Sequence, residues 1–302
     1  MAFDGLTVAA LRHELNNTLA DGRISKISQP EPDELMLTIK TGSGQERLLI
    51  SASATLPLVY LTDTNKPAPA TAPAFCMLLR KHLSSARILS ITQPGLERVL
   101  HIDMEHRDEM GDLCRKRLII EIMGKHSNII FTDEKGMIID SIKHISAAVS
   151  SVREVLPGRD YFLPETVEKA DPLNVTCEEL QRIFSSKAMP LYKALYTSLT
   201  GISPQYAQEL CYASGIDSDL GCNLLNGDQI GSLHNSINAM SKAVENGDFA
   251  PEIIYEHEAP AEFCALHMTS YEGSEIRHYD WISRLLRDYY AEKNTYVNIR
   301  QR

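Results

Sequence analysis

The chain has 302 residues, 43% hydrophobic and 23% charged, which is ordinary globular composition with ample apolar material for a core. Its Gly 16 and Pro 14 exclude collagen-like and low-complexity classes, and no apolar run of about 18 residues exists to cross a membrane. The net charge of −10 is uneven: residues 1–160 carry 19 Lys and Arg against 20 Asp and Glu, residues 161–302 only 11 against 20. An acidic average argues against nonspecific nucleic-acid binding, yet the first half holds enough cations for a local patch.

Val8, Leu11, Leu15 and Leu19 recur at helical spacing and Gly22 follows as a stop, so the first element is a helix. Alternating segments Arg23–Ile27, Leu35–Ile39 and Arg47–Ser51 predict strands, joined by Gln29-Pro30-Glu31-Pro32 and Thr41-Gly-Ser-Gly44. The Pro/Ala stretch 66–73 must run extended, and it feeds a helix over Ala74–Leu83. A second strand series follows: Arg87–Thr92, Arg98–Met104, Arg115–Met123, Asn128–Thr132 and Met137–Ile142. Even spacing with turns between predicts an antiparallel meander. The fold class is therefore α+β, a sandwich-like antiparallel β domain with flanking helices.

Beyond Pro157-Gly158 and the loop Leu163-Pro-Glu165 the character changes. Thr176-x-x-Glu179 has the form of a capping box. Helices near Leu191–Leu199 and Gln205–Ala213 meet at Thr200-Gly-Ile-Ser-Pro204, and Asp228–Glu245 forms another, stopped by Gly247. Glu252–Met268 can supply strands. Asp280–Ile299 is an amphipathic helix with a stripe through Trp281, Leu285, Tyr289, Tyr296 and Ile299, expected to open a coiled coil. Expected domains are 1–170, an all-α domain at 171–247, and a connecting segment with the coiled-coil start at 248–302.

Enzyme signatures are missing from the sequence: no G-x-G-x-x-G, no P-loop, no G-x-S-x-G and no H-E-x-x-H. The six cysteines form no C-x-x-C pair, so reduced thiols are expected, with no metal and no cofactor. Met1-Ala-Phe-Asp4 lacks a basic and then apolar leader, so the expected compartment is the cytoplasm.

Three segments could carry binding. Glu97 and Arg98 follow Pro94-Gly95 and point to opposite faces if extended. They either line a groove or are solvated charges. Glu121 ends the apolar run Leu118-Ile-Ile120, where a carboxylate is costly unless paired or at an edge. Gly124 then allows a tight turn with Lys125 and His126 at its tip, and Arg115, Lys116 and Arg117 lie on the same hairpin, suited to phosphate. Gly201, Ser203 and Pro204 form the turn of a helix-hairpin-helix, which serves either packing or a phosphate.

Phe3-Asp-Gly-Leu6, Pro94–Arg98, Glu121-Ile-Met-Gly-Lys-His-Ser-Asn-Ile129, Val155-Leu-Pro-Gly158 with Tyr161, Gly201-Ile-Ser-Pro204 and Asp288-Tyr-Tyr290 together resemble the NFACT family, in order along the whole chain. The resemblance implies a non-catalytic factor of ribosome-associated quality control. Such a factor binds a large ribosomal subunit obstructed by peptidyl-tRNA and recruits alanyl-tRNA for mRNA-free tailing of the stalled chain. It implies tRNA contact by Glu97, Arg98, Glu121, Ile122 and Met123; Asp4, Arg115, Arg117, Lys125 and His126 are candidates for additional RNA contacts. Glu97 stands where the family usually has Asp, which keeps the charge with one methylene more reach. The N-terminal part is also similar to the N-terminal half of formamidopyrimidine DNA glycosylases, but Met1-Ala2 lacks their N-terminal Pro nucleophile. The alternatives are a fibronectin-binding surface adhesin and a glycosylase-like DNA-binding protein.

Overall fold

The computed structural model describes residues 3–164 and 168–300, with side chains through residue 294. It divides into two compact units, one of Leu11–Pro94 and Arg98–Thr166, the other of Met1–Ala10, Gly95–Glu97 and Val167–Arg302. Helix α1 (Gly5–Leu19) contributes its first turns to the second unit and the remainder to the first. Leu11, Leu15 and Leu19 are buried, as their spacing requires.

The first unit is built on β1 (Arg23–Glu31), β2 (Glu34–Thr41), β3 (Gly44–Ser51), β4 (Leu58–Leu61), helix α2 (Ala74–Leu83), β5 (Arg87–Thr92), β6 (Val99–Arg107), β7 (Leu113–Glu121), β8 (Asn128–Asp133) and β9 (Ile138–Ser141). All pairings are antiparallel, in the order β4-β3-β2-β1-β5-β6-β7-β8-β9. β1 and β5 share only the pair Arg23↔Arg87. The bonds Ile24 N to Ala86 O (3.0 Å) and Ile88 N to Gly22 O (2.9 Å) reinforce it. The two strand series expected to form a sandwich are thus hydrogen-bonded into one sheet through a narrow joint.

β1 runs through Gln29-Pro30, expected as a loop, because a register shift between Ser28 and Glu31 accommodates a residue that cannot donate. β4 was not anticipated: four residues behind Pro57 are too short for a periodicity signal. α2 has the expected bounds and buries Phe75, Cys76, Leu79 and Leu83. Its Arg80 Nε donates to Ile27 O of β1 at 2.9 Å.

The second unit holds α3 (Cys177–Ser185), α4 (Leu191–Ser198), α5 (Pro204–Ala213), α6 (Gly227–Asn246), β10 (Glu252–Glu256), β11 (Ala259–Cys264), β12 (Glu275–His278) and α7 (Ile282–Arg300). Thr176 caps α3 by accepting from the Glu179 amide, as its sequence position suggested. A full capping box of Asn226 and Gln229 opens α6, and Gly247 closes it at φ 71°. The small sheet runs β11-β10-β12; β12 was not expected. On α7 the buried residues are Ile282, Leu285, Leu286 and Tyr289, whereas Trp281 is 54% exposed. Leu285 and Tyr289 of the expected stripe thus face inward, Ile282 stands in place of Trp281, and Tyr296 and Ile299 lie outside the described side chains.

Candidate nucleic-acid interface

β6 and β7 pair without interruption from Arg107↔Leu113 to Val99↔Glu121. One step further, the Ile122 amide donates to the Arg98 carbonyl at 2.9 Å. Register alone thus joins Arg98 to Glu121–Met123, two segments separated in sequence by a whole hairpin. The chain then turns. Gly124 sits at φ 57°, the Met123 amide donates to Ser127 Oγ (2.9 Å) and the Ser127 amide to Gly124 O (3.1 Å). This leaves Lys125 and His126 exposed at the tip.

Glu121 is not an edge carboxylate. Its side chain is 0% exposed and accepts from Arg153 Nη2 and from the Tyr161 hydroxyl (2.8 Å). Arg153 also donates to Phe162 O (2.7 Å) and lies 5.5 Å over the Tyr161 ring. Burial is the largest single effect on Arg153 and would lower it, but the charge and hydrogen bond of Glu121, together with Tyr161, outweigh it and raise the guanidinium. Burial first, then Glu121, pushes the Tyr161 phenol upward. Ile122 is 1% exposed, so its side chain offers no surface to a base; this corrects the expectation of direct contact. Met123 is half-buried and packs on the cluster Val99, Ile119, Ile130, Ile138 and Val155, as do Tyr161 and Leu163.

Arg117, expected as a further RNA contact, is held by Asp103 through Nε (2.6 Å) and Nη2 (3.2 Å). The same face carries His101, whose pKa is lowered to about 4 by burial and then by Arg117, so it stays neutral near pH 7. Arg115 is exposed and lines a cleft of about 500 Å³ with Ser90, Asp103, Arg117, Thr132 and Tyr161.

Other expected residues serve packing. Asp4 is 8% exposed and caps α1, accepting from the Thr7 amide at 3.0 Å. Burial raises its pKa to about 6, against opposing hydrogen bonds from Thr7, Ser203 and Leu6. Its burial overturns the expectation that it touches RNA. Gly201 has φ 78° and its carbonyl accepts from the Gly5 amide at 2.9 Å. Ser203 caps α5 by accepting from the Tyr206 amide (3.1 Å), and Pro204 is the first helical residue. The motif at the chain's start and the α4–α5 turn therefore meet. Glu97 is half-buried in this same unit, adjacent in sequence to Arg98 of the other. Sequence reasoning missed Arg153; the signal available was the need of Glu121 for a cation.

The profile of the NFACT N-terminal and middle domains matches residues 4–302. This chain belongs to the NFACT family. The Rqc2 homolog RqcH of Bacillus subtilis (strain 168) is 34% identical over 302 residues, covering 100% of this chain and 51% of that protein. RqcH of Streptococcus suis is 37% identical over 218 residues, covering 72% of this chain and 39% of that protein. The chain thus spans about half or less of the length of these NFACT relatives. The N-terminal structure of the Streptococcus suis fibronectin/fibrinogen-binding protein superposes with a TM-score of 0.79 at 31% identity, covering 96% of this chain and 100% of that one. The N-terminal domain of the Streptococcus pneumoniae fibronectin-binding protein PavA gives 0.63 at 30%, covering 96% and 99%. Among the described residues of this NFACT chain, no helix is long and apolar enough to cross a membrane.

Proposed function

We propose that this NFACT chain is the tRNA-binding part of a non-catalytic ribosome-associated quality-control factor. Within such a factor it helps bind an obstructed large subunit with its peptidyl-tRNA and recruits alanyl-tRNA for tailing. The observation that carries the reading is the Arg98–Ile122 backbone bond. It sets the Arg98 side chain at the same strand end as Met123, with exposed Lys125 and His126 on the adjoining turn. In this reading Arg98, Lys125, His126 and exposed Arg115 meet phosphate, and Met123 offers apolar surface to an unstacked base. Glu121 and Ile122 hold the edge from within. The Gly201–Pro204 turn is read as the helix-hairpin-helix turn of the second unit, closed by packing.

Replacing Arg98 with Ala weakens binding of a labelled tRNA in this reading and leaves the melting temperature nearly unchanged. Wild-type affinity in R98A overturns it. The proteins of the two similar structures are named for binding fibronectin or fibrinogen. Immobilised fibronectin is therefore the comparison ligand, and R98A sensitivity toward tRNA but not fibronectin separates the two.

A further inference from the structure

We propose that Arg153 is a positioning residue for the RNA-facing edge, acting through Glu121 and the segment that covers it; this rests on the tRNA reading above. That segment lies across one face of β6–β9. It is tied by Ile145 and Val155, whose amides and carbonyls exchange hydrogen bonds of 3.0 and 2.8 Å. Ile138 N to Arg159 O (2.8 Å) and Tyr161 N to Gly136 O (2.8 Å) add two more ties. These bonds fix the backbone of the segment but leave Glu121 beneath it. A carboxylate with no exposed surface requires a charged partner held in place. Arg153, itself 10% exposed, supplies it.

The guanidinium does more than neutralise. One Nη reaches Glu121 at the end of β7, the other reaches Phe162 O, and the guanidinium carbon lies 5.5 Å over the ring of Tyr161, which itself donates to Glu121. A single planar fork therefore closes the 153–162 loop and clamps it to the strand end. The residues next to that clamp are those the tRNA reading uses. Ile122, directly after Glu121, donates to Arg98. Met123 packs on the same buried cluster that holds Val155 and receives Tyr161 and Leu163 of the covering segment. Loosening the clamp frees the floor under Met123 and the last rung of the ladder at Arg98, with no group removed from the exposed surface.

Lysine at 153 is the diagnostic change. It keeps the positive charge opposite Glu121, but a single ammonium cannot reach both Glu121 and Phe162 O or stack as a plane. Tyr161→Phe is the milder companion, removing only the hydroxyl bond. The experiment compares wild type, R98A, R153K and Y161F for binding of a labelled tRNA, with amide hydrogen exchange of the same proteins. Expected is a loss of roughly tenfold in tRNA affinity for R153K, the size of one charge-assisted hydrogen bond. Exchange at the Ile122 amide should rise by a similar factor while the β2–β3 amides stay unchanged. Y161F should move both readouts in the same direction and less.

Wild-type exchange at Ile122 in R153K overturns the proposal whatever the affinity, since Arg153 then does not position the edge. Accelerated exchange with wild-type tRNA affinity also overturns it, because the order it maintains is then irrelevant to RNA. In both cases weak binding by R98A leaves the tRNA reading standing. If the wild-type chain binds no tRNA, or R98A binds as wild type, the reading fails and the proposal fails with it.

Discussion

A methyl group added at Gly5 tests the packing that joins the chain's start to the α4–α5 turn. A Cβ there would lie 2.1 Å from Leu96 O and 2.7 Å from Gly201 Cα, both backbone atoms that cannot rotate aside. The two backbones must separate by about 1 Å to restore contact distance, which stretches the Gly5–Gly201 hydrogen bond of 2.9 Å beyond use. Overpacking costs about 1–3 kcal/mol and the lost bond about 1 kcal/mol, while the better helix propensity of Ala returns somewhat less than 1 kcal/mol. The net is roughly 1–3 kcal/mol, or about 3–10 °C in Tm for a unit of this size. Gly201→Ala should cost more, since its Cβ meets Leu96 O at 2.1 Å and its φ of 78° strains any side chain. The control is Gly231→Ala in mid-α6, where nothing lies within 4 Å of the new Cβ. Relief of helical glycine should raise Tm there by about 2–4 °C. Differential scanning calorimetry of the four proteins decides it: a G5A Tm at or above wild type refutes the reasoning.

Asp4 holds its proton more tightly in the folded protein, at about 6, than in the unfolded chain. The resulting stability is complete below about pH 4 and lost as pH rises through about 6, a change on the order of 3 kcal/mol. D4N keeps a capping side chain and should flatten Tm across that window; an unaltered pH slope would show that another group is responsible. Buried Glu209 accepts from Thr269 N (2.8 Å), Thr269 Oγ1 (2.6 Å) and Ser270 N (2.9 Å), so E209A leaves three half-buried donors without their acceptor. A loss of about 2–4 kcal/mol is expected in urea unfolding, and an unmoved midpoint contradicts it. All six cysteines are free, with Cys76, Cys211, Cys222 and Cys264 buried. Alkylation with and without denaturant should label all six only when unfolded, and a mass deficit for a disulfide would oppose this.

Local signals carried most of the elements. α2 and β5 have their expected bounds because Pro73 and the turn at Ser84–Ala86 punctuate them. Gly247 and Thr176 mark helix ends by backbone conformation and capping chemistry. What escaped was set by distant partners. β12 and β4 have four residues each and acquire strand character from their neighbours. At the candidate interface, the meeting of Arg98 with Glu121–Met123 followed from hairpin register and could be anticipated. The burial of Glu121 and Ile122 could not, because it depends on a covering segment some 30 residues downstream whose Arg153 has no pattern of its own. Asp4 misled for a related reason: its motif is distinctive, but its partner Ser203 lies two hundred residues away.

The bond between Gly5 and Gly201 also orders events during synthesis. The first helix cannot complete its native neighbourhood until residue 204 has left the ribosomal exit. At about 5–20 residues per second that is a wait on the order of 10–40 s. Through that interval Phe3 and Leu6, buried in the finished protein, lack most of the unit they belong to. The sheet residues 23–141 emerge meanwhile and can pair among themselves. Residues 3–10 are thus among the last to settle, after most of the sheet is already made.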